Sequence, residues 1–153
     1  MTEIDIKTQA HSFLAHNTFG SLATVSKEGT PRVRSLYYAT DDTFAVYFVT
    51  LTGTRKVEDL AHNTSAAFVV SDENTPATLQ IEGSVENITD TAVLNETVHN
   101  ILATLMKKGE HFAPVTHMDT ARVEFYKLTP TWVRFGNFVI GEGNSEVFSD
   151  VLP

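Results

Sequence analysis

Residues 50–60 hold the candidates for chemistry, at the joint between a β-forming run and a short helical pattern. The joint holds a glycine, two adjacent cations, Arg55 and Lys56, and three threonine hydroxyls, those of Thr50, Thr52 and Thr54. The first N–H groups of a helix have no partner within the helix, and with the helix dipole they favour an anion such as phosphate. Arg55 offers a planar fork of donors and Lys56 a compact charge. The simpler interpretation is a turn with Thr54 as the N-cap and two solvated cations.

Positive charge is concentrated in one part of an acidic chain. The net charge of −8 argues against nucleic acid or an anionic membrane as a partner. Arg32, Arg34, Arg55 and Lys56 nevertheless fall within a short span, and no lysine or arginine follows until after residue 106. This clustering favours a small anionic ligand, although uneven charge is also common in short chains.

The composition describes one soluble domain without cysteine. A length of 153 residues with 42% hydrophobic residues fits a single domain over residues 1–153. The absence of cysteine excludes disulfides and thiolate nucleophiles. No apolar segment is long enough to span a bilayer, and the N-terminus lacks the basic start of a signal peptide, so we expect a cytoplasmic protein. The histidines show no metal-binding spacing, so we expect no metal site.

Hydrophobic periodicity predicts an α+β fold with six or more antiparallel strands. Helices are predicted over residues 6–17, 55–61 and 90–108, and strands over residues 19–25, 32–38, 43–50, 65–70, 78–86, 122–128 and 131–138. We expect the first three strands to form a meander and the last two to form a closing pair. We also expect the third strand to be buried on both faces.

Two further features refine this prediction. Gly83 in the middle of a strand predicts a bulge or a tight bend, as a barrel corner needs. Val57, Leu60 and Ala61 are expected to face inward from the short helix. Together these patterns predict a closed or split β-barrel with inserted helices. The polar tail from residue 141 is expected to form an arm or a dimer contact.

Five short motifs follow one another along the chain. They are Leu22-Ala23-Thr24-Val25, Gly29-Thr30-Pro31, Arg34-Ser35-Leu36-Tyr37-Tyr38, Tyr47-Phe48-Val49-Thr50 with Thr54-Arg55-Lys56, and Ile81-Glu82-Gly83. Each is weak alone, but their order and spacing together are fairly specific. In this respect the chain resembles the pyridoxamine 5′-phosphate oxidase-like family of FMN-binding split barrels, and its small general-stress-protein-like branch in particular.

The resemblance implies FMN bound in a groove between the two subunits of a homodimer. The family's phosphate ligands correspond to Arg34, Arg55 and Lys56, with Thr54 at the position of a family serine. The strand that contains Ser35 and Leu36 would run beside the flavin, which Val49 and Thr50 would line. Thr78 or Gln80 would lie near the ring. Trp132 would wall the ring from the partner chain, or else serve core or dimer packing.

The chain departs from the oxidase at three places. Thr78 stands where the oxidase has a glutamine, and Ala39 where it has a lysine. Residues 139–146 lack the arginine and histidine that hold the vitamin substrate of the oxidase. The resemblance therefore implies an FMN-dependent oxidoreductase with an unknown small-molecule substrate, but not a true pyridoxamine 5′-phosphate oxidase. The redox chemistry would belong to the flavin, and no catalytic acid or base is predicted.

Three alternatives remain open from the sequence. A haem-binding dimer on the same barrel would need a histidine ligand, for which His111 and His117 are the candidates. The deazaflavin F420 is a second possible cofactor. A cofactor-free stress or interaction dimer is the third alternative, in which the cations hold no specific ligand. A flavin spectrum, a Soret band or the lack of both would distinguish these classes.

Overall fold

The chain folds into one antiparallel sheet that curls into a half-barrel, with helices packed against it. The fold is described for residues 3–106, 123–138 and 147–152 of a computed structural model. In chain order the elements are α1 Glu3–His16, β1 Phe19–Val25, β2 Pro31–Tyr37, β3 Ala39–Thr40, β4 Val46–Leu51, α2 Arg55–His62, β5 Ser65–Asp72, β6 Ala77–Asn87, α3 Thr91–Met106, β7 Val123–Asn137 and β8 Phe148–Leu152. This is the predicted α+β split-barrel class.

The long strand β7 lies at the centre of the strand pairing. The sheet runs in the order β2-β1-β5-β6-β7-β4-β3, and β8 pairs with β7 off this path. Along its length β7 contacts β4, β6 and β8, always in antiparallel register. None of the described helices is long and apolar enough to cross a membrane.

The prediction of a three-stranded meander is wrong at its third strand. β1 and β2 form the expected hairpin, but β4 pairs with β3 and β7 instead of β2. β4 also begins later than predicted, because Phe44 has a left-handed φ of 65° and Asp41 accepts hydrogen bonds from the backbone N–H groups of Thr43 and Ala45. Its side chains alternate between buried and half-buried, so it is not fully buried on both faces.

The predicted closing pair is one continuous strand. β7 runs through Pro130, which faces Gly83 where the register shifts between Glu82 and Gly83 of β6. A proline is tolerated here because the ladder of hydrogen bonds is already interrupted at a bulge. The predicted bulge at Gly83 is thereby confirmed. Arg122, the predicted first residue of this region, lies outside the described residues, as do residues 107–108 at the predicted end of α3.

The inner face of the half-barrel carries the core. Its largest fully buried residues include Leu22, Phe48, Leu79, Ile81, Leu128 and Val133, with Leu14 of α1 packed against them. A second, smaller cluster joins Ala39 to Ile101 of α3. The predicted tail contributes β8 to the sheet through residues 148–152, and residues 141–146 lie outside the described part.

Candidate functional site

A buried carboxylate on α2 links this helix to the two N-terminal strands. Asp59 is 1% exposed, and its Oδ1 accepts a hydrogen bond from Nη1 of Arg32 on β2 at 2.8 Å. The hydroxyl of Thr24 on β1 donates to Oδ2 of Asp59 at 2.8 Å. An unpaired buried carboxylate would be strongly destabilising. These partners therefore explain how a charged residue occupies the inner side of α2.

Arg34 is held by the same network. Its Nη1 donates to the hydroxyl of Thr24 at 2.7 Å and to the carbonyl of Leu22 at 3.4 Å, and its Nη2 lies 3.6 Å from Oδ2 of Asp59. Arg34 points to the inner face because its cross-strand partner is the fully buried Leu22. Thr24 donates to Asp59 and accepts from Arg34, so its hydroxyl orients the guanidinium.

The N-cap position of α2 is occupied by Thr54, as predicted, but the threonine side chain does not cap the helix. The backbone of Thr54 is extended, and no side-chain cap hydrogen bond is formed. Its hydroxyl instead donates to the carbonyl of Leu51 at 3.1 Å and lies 3.2 Å from the hydroxyl of Thr50. The Thr54 side chain therefore leaves the first N–H groups of α2 to other partners, including an anion.

The two cations at the start of α2 act electrostatically on Arg34. Burial lowers the pKa of Lys56, and the charge of Arg34 lowers it further. Burial also lowers the pKa of Arg34; Asp59 opposes this effect, whereas Arg55 and Arg32 add to it. Repulsion of this kind requires the cations to be close together. An anion placed among them would relieve it.

The charge balance of this region favours an anionic ligand. Arg32, Arg34, Arg55 and Lys56, together with Asp59, are named the cation site. Arg32 and Arg34 pair with the single buried carboxylate, and the charges of Arg55 and Lys56 are added to theirs, which leaves an excess of positive charge. Nε of Arg32 has no hydrogen-bond acceptor within the part of the chain that the structure describes. These features fit a phosphate-bearing cofactor at the start of α2.

Four predicted cofactor-binding residues lie on the other, outer face of the sheet. They are Ser35, Thr78, Gln80 and Trp132, which alternate with buried or half-buried residues of their strands. Gln80 and Trp132 line a shallow cavity of about 230 Å³ with small residues of β1 and β5. The guanidinium of Arg134 lies over the ring of Trp132, 5.1 Å from the ring centre. One chain therefore does not bring these residues to the cation site.

Two other predicted residues pack against hydrophobic clusters. Leu36 packs, half-buried, against the main core, and Val49 packs against the small cluster of Ala39 and Ile101. Ala39, which stands at the position of the oxidase lysine, is only 4% exposed. Contact with α3 thus fills the space at this position with apolar atoms.

Sequence reasoning missed Asp59 and Thr24 and noted Arg32 only as a charge. The signal for Asp59 was present, because it lies beside Leu60 on the inward side of a helix whose charged residues should face solvent. Ala61, which was predicted to face inward, is exposed instead. The partners of Asp59 lie in the hairpin of β1 and β2, far from α2 in the sequence, so no local pattern reveals these contacts.

The histidines do not enter the cation site in the described part of the chain. Nε2 of His11 lies 2.9 Å from the carbonyl oxygen of Asp41, and its ring contacts Phe44 edge-on. Over residues 3–106, 123–138 and 147–152, no group of three histidine, aspartate or glutamate side chains is placed to hold a metal ion. His111 and His117, the candidates for a haem ligand, lie outside these ranges.

Comparison with known proteins places the chain among split barrels. A family model described as pyridoxamine 5′-phosphate oxidase matches residues 6–137, whereas no curated protein matches the chain. A heme binding protein from Mycobacterium smegmatis shares the fold with a TM-score of 0.72 and 18% identity, over 95% of this chain and 57% of that one. The chain therefore spans little more than half of that protein.

Two other solved structures are covered over most of their length. A FAD-binding protein from Mesorhizobium loti matches with a TM-score of 0.64 and 22% identity, over 84% of this chain and 91% of that one. A protein described as an F420 reductase matches with a TM-score of 0.62 and 26% identity, over 80% of this chain and 94% of that one. Similar barrels thus bear names that refer to three different cofactors.

Proposed function

Because the chain belongs to the pyridoxamine 5′-phosphate oxidase family, with the family model covering residues 6–137, we propose that it is an FMN-binding oxidoreductase. The phosphate of FMN would be held at the cation site. Membership in the family and the likeness to barrels named for haem, FAD and F420 support a cofactor-binding split barrel. The choice of FMN and of a redox role is our proposal.

The observation that carries this proposal is the uncompensated positive charge around Asp59. Arg34, Arg55 and Lys56 belong to two different elements, yet the charge of Arg55 lowers the pKa of Arg34, and the charge of Arg34 lowers the pKa of Lys56. A phosphate monoester carries nearly two negative charges near neutral pH and has oxygens on several sides. It can therefore accept hydrogen bonds from β2 and from α2 at the same time.

The chain would bind and orient the cofactor, and the flavin, when bound, would supply hydride or electron transfer. Arg34 would contribute a guanidinium oriented by Thr24, and Lys56 a half-buried ammonium. Thr50, near the end of β4, and Thr54, at the N-cap position of α2, would offer hydroxyls, which lie 3.2 Å apart. None of these roles requires a general acid or base.

We propose that a second copy of the chain completes the cofactor groove. The support is the separation of the predicted residues, because Gln80 and Trp132 lie on the face of the sheet opposite to Arg34. The outer face also exposes apolar side chains, with Val33 at 70% and Val69 at 37%. A homodimer would cover this surface and bring the outer face of one subunit to the cation site of the other.

Vitamin B6 oxidation is not part of the proposal. The lysine of the true oxidase is replaced by Ala39, which is buried against Ile101. The substrate is therefore proposed to be a different small redox molecule.

Native mass spectrometry of the purified protein tests the cofactor and the dimer together. We expect a complex of two chains and two FMN molecules, and heating should release FMN identified by its mass. A flavin absorption spectrum should accompany it. A Soret band, or a protein that binds no cofactor when FMN is added, would contradict the proposal.

F420 is a second candidate, favoured by the likeness to the F420 reductase at 26% identity. This deazaflavin also carries a phosphate, so the cation site suits it as well. The same mass measurement separates the two, because F420 and FMN differ in mass and in absorption. Preferential binding of added F420 over FMN would establish this alternative.

The lowered pKa of Lys56 predicts that FMN affinity falls at alkaline pH. An anion beside Lys56 stabilises the ammonium, so its pKa in the complex should be higher than in the free protein. Between these two pKa values binding takes up a proton, and the affinity therefore decreases as pH rises. Affinity should be highest below the lowered pKa of the free protein.

Titration of FMN at a series of pH values from neutral to alkaline would measure this effect. Lys56→Arg keeps the charge but removes the titration, because a guanidinium stays protonated throughout this range. The variant should show a flatter profile than the native protein. Equal profiles for the two proteins would show that Lys56 does not contact the phosphate.

A further inference from the structure

We propose that Asp59 is a positioning residue of the cation site, which clamps α2 to β1 and β2 and so sets Arg34 at the separation from Arg55 and Lys56 that a phosphate requires. This inference rests on the proposed function, because the phosphate of FMN is the group to be held. Asp59 itself is too deeply buried to touch the ligand, with 1% of its surface exposed. Its effect would pass through the cations.

The need for a clamp follows from the two elements that supply the cations. Arg34 lies on β2, an edge strand at one end of the sheet order that pairs with β1. Arg55 and Lys56 stand on α2, a helix of eight residues that follows a turn with Gly53 at a φ of 74°. An edge strand and a short helix are elements that need tertiary contacts to hold a fixed separation.

The contacts of Asp59 connect these elements directly. Oδ1 binds Arg32 at 2.8 Å, and Oδ2 binds Thr24 at 2.8 Å and lies 3.6 Å from Arg34. Arg55 precedes Asp59 by four residues, so both lie on the same side of α2. The contacts of Asp59 therefore hold the part of α2 that directly follows Arg55 and Lys56.

The division of contacts leaves Arg34 available to a ligand. Arg32 takes the shorter contact with Asp59, and Thr24 occupies Nη1 of Arg34. A guanidinium has five N–H donors, and the hydrogen bonds of Arg34 in the described part of the chain use Nη1. Nη2 faces Oδ2 of Asp59 at 3.6 Å, so Nε is the donor of Arg34 that remains for a phosphate oxygen.

Replacement of Asp59 by asparagine separates positioning from charge. Removal of a negative charge near a bound phosphate should strengthen binding if the Coulomb interaction alone matters. If Asp59 positions the cations, FMN binding should weaken. The asparagine amide has an oxygen acceptor at one end only, so it cannot replace both carboxylate oxygens that accept hydrogen bonds from Arg32 and Thr24. The two mechanisms thus predict opposite signs for Asp59→Asn.

Glu58→Gln is the matched control. Glu58 is the preceding residue of the same helix, is exposed, and loses the same charge in its variant. It has no part in the network described above. A small gain in affinity, or none, is expected for this variant because exposed charges interact weakly.

Thr24→Val provides a second variant without any change of net charge. Valine has nearly the shape of threonine, but it cannot accept from Arg34 or donate to Asp59. The short pair of Arg32 and Asp59 would remain in this variant. If Asp59→Asn does not fold, Thr24→Val decides the question.

The readout is the ratio of the affinities for FMN and riboflavin, measured by quenching of flavin fluorescence in the full chain. Riboflavin lacks the phosphate, so general loosening of the barrel would weaken both ligands alike. We expect the native protein to prefer FMN at least about tenfold, as charge-assisted hydrogen bonds imply. Asp59→Asn and Thr24→Val should lose most of this preference, and Glu58→Gln should retain it.

Each result bears on a different part of the proposal. An unchanged or increased preference for FMN in Asp59→Asn and Thr24→Val would overturn the positioning role while the cation site stands. A native protein that binds riboflavin as tightly as FMN would overturn the phosphate site itself, and the role of Asp59 with it. The clamp would be supported if Asp59→Asn and Thr24→Val both lose the preference for FMN and Glu58→Gln retains it.

Discussion

Replacement of Lys56 by alanine is expected to weaken FMN binding by about 1–3 kcal/mol, the usual contribution of a charge-assisted hydrogen bond. Arg55→Ala should have an effect in the same range, because Arg55 is the neighbouring cation on the first turn of α2. Lys56 is expected to show the larger loss, since it is half-buried and Arg55 is exposed. A partly desolvated charge interacts more strongly with its partner.

Titration of FMN into each variant at constant salt would measure these losses. Lys27→Ala is the matched control, because Lys27 is exposed in the turn between β1 and β2 and its replacement by alanine also removes one positive charge. Its affinity should stay close to that of the native protein. Native-like affinity in both Lys56→Ala and Arg55→Ala would place the phosphate elsewhere.

The second large effect concerns stability. Gly83→Ala is expected to destabilise the fold by about 3 kcal/mol, at the upper end of the usual range for overpacking. A Cβ atom at this position would lie 2.1 Å from the carbonyl oxygen of Thr129 and 3.0 Å from Cα of Pro130. Both are backbone atoms, so a side-chain rotation cannot make room. The bulge between β6 and β7 would have to open.

Urea denaturation followed by circular dichroism would give the free energy of unfolding. Gly29→Ala is the comparison, because a Cβ there meets nothing within 4 Å although φ is 85°. It should show only the conformational penalty of roughly 1 kcal/mol. A Gly83→Ala protein as stable as Gly29→Ala would show that the contact with β7 is not rigid.

Local signals were sufficient for the elements that carry the cations. The turn residues Lys27 to Pro31 predicted the hairpin of β1 and β2, which pair over their whole length. The change from β-forming residues to a helical pattern predicted α2 within one residue of its observed end. Since Arg34 and Lys56 lie on these two elements, the sequence was enough to suggest an anion site.

Long-range pairing could not be predicted in the same way. The partner of β4 is β7, and the intervening residues include α2, two strands and α3. Hydrophobic alternation tells which face of a strand is buried, but not which strand lies beside it. Pro130 was misleading for a related reason, because a proline breaks an isolated strand but is accepted at a bulge.

The central position of β7 also has a consequence for biosynthesis. On a translating ribosome, β1, β2 and β4 emerge well before β7. The hydrogen bonds between Val46–Leu51 and Val123–Leu128 can form only after β7 has emerged. The apolar Phe48 stays without its final neighbours during this interval. Non-local pairing of this kind slows folding and leaves strand edges open to aggregation. Nascent chains of this protein should therefore depend on chaperone protection until the seventh strand has emerged.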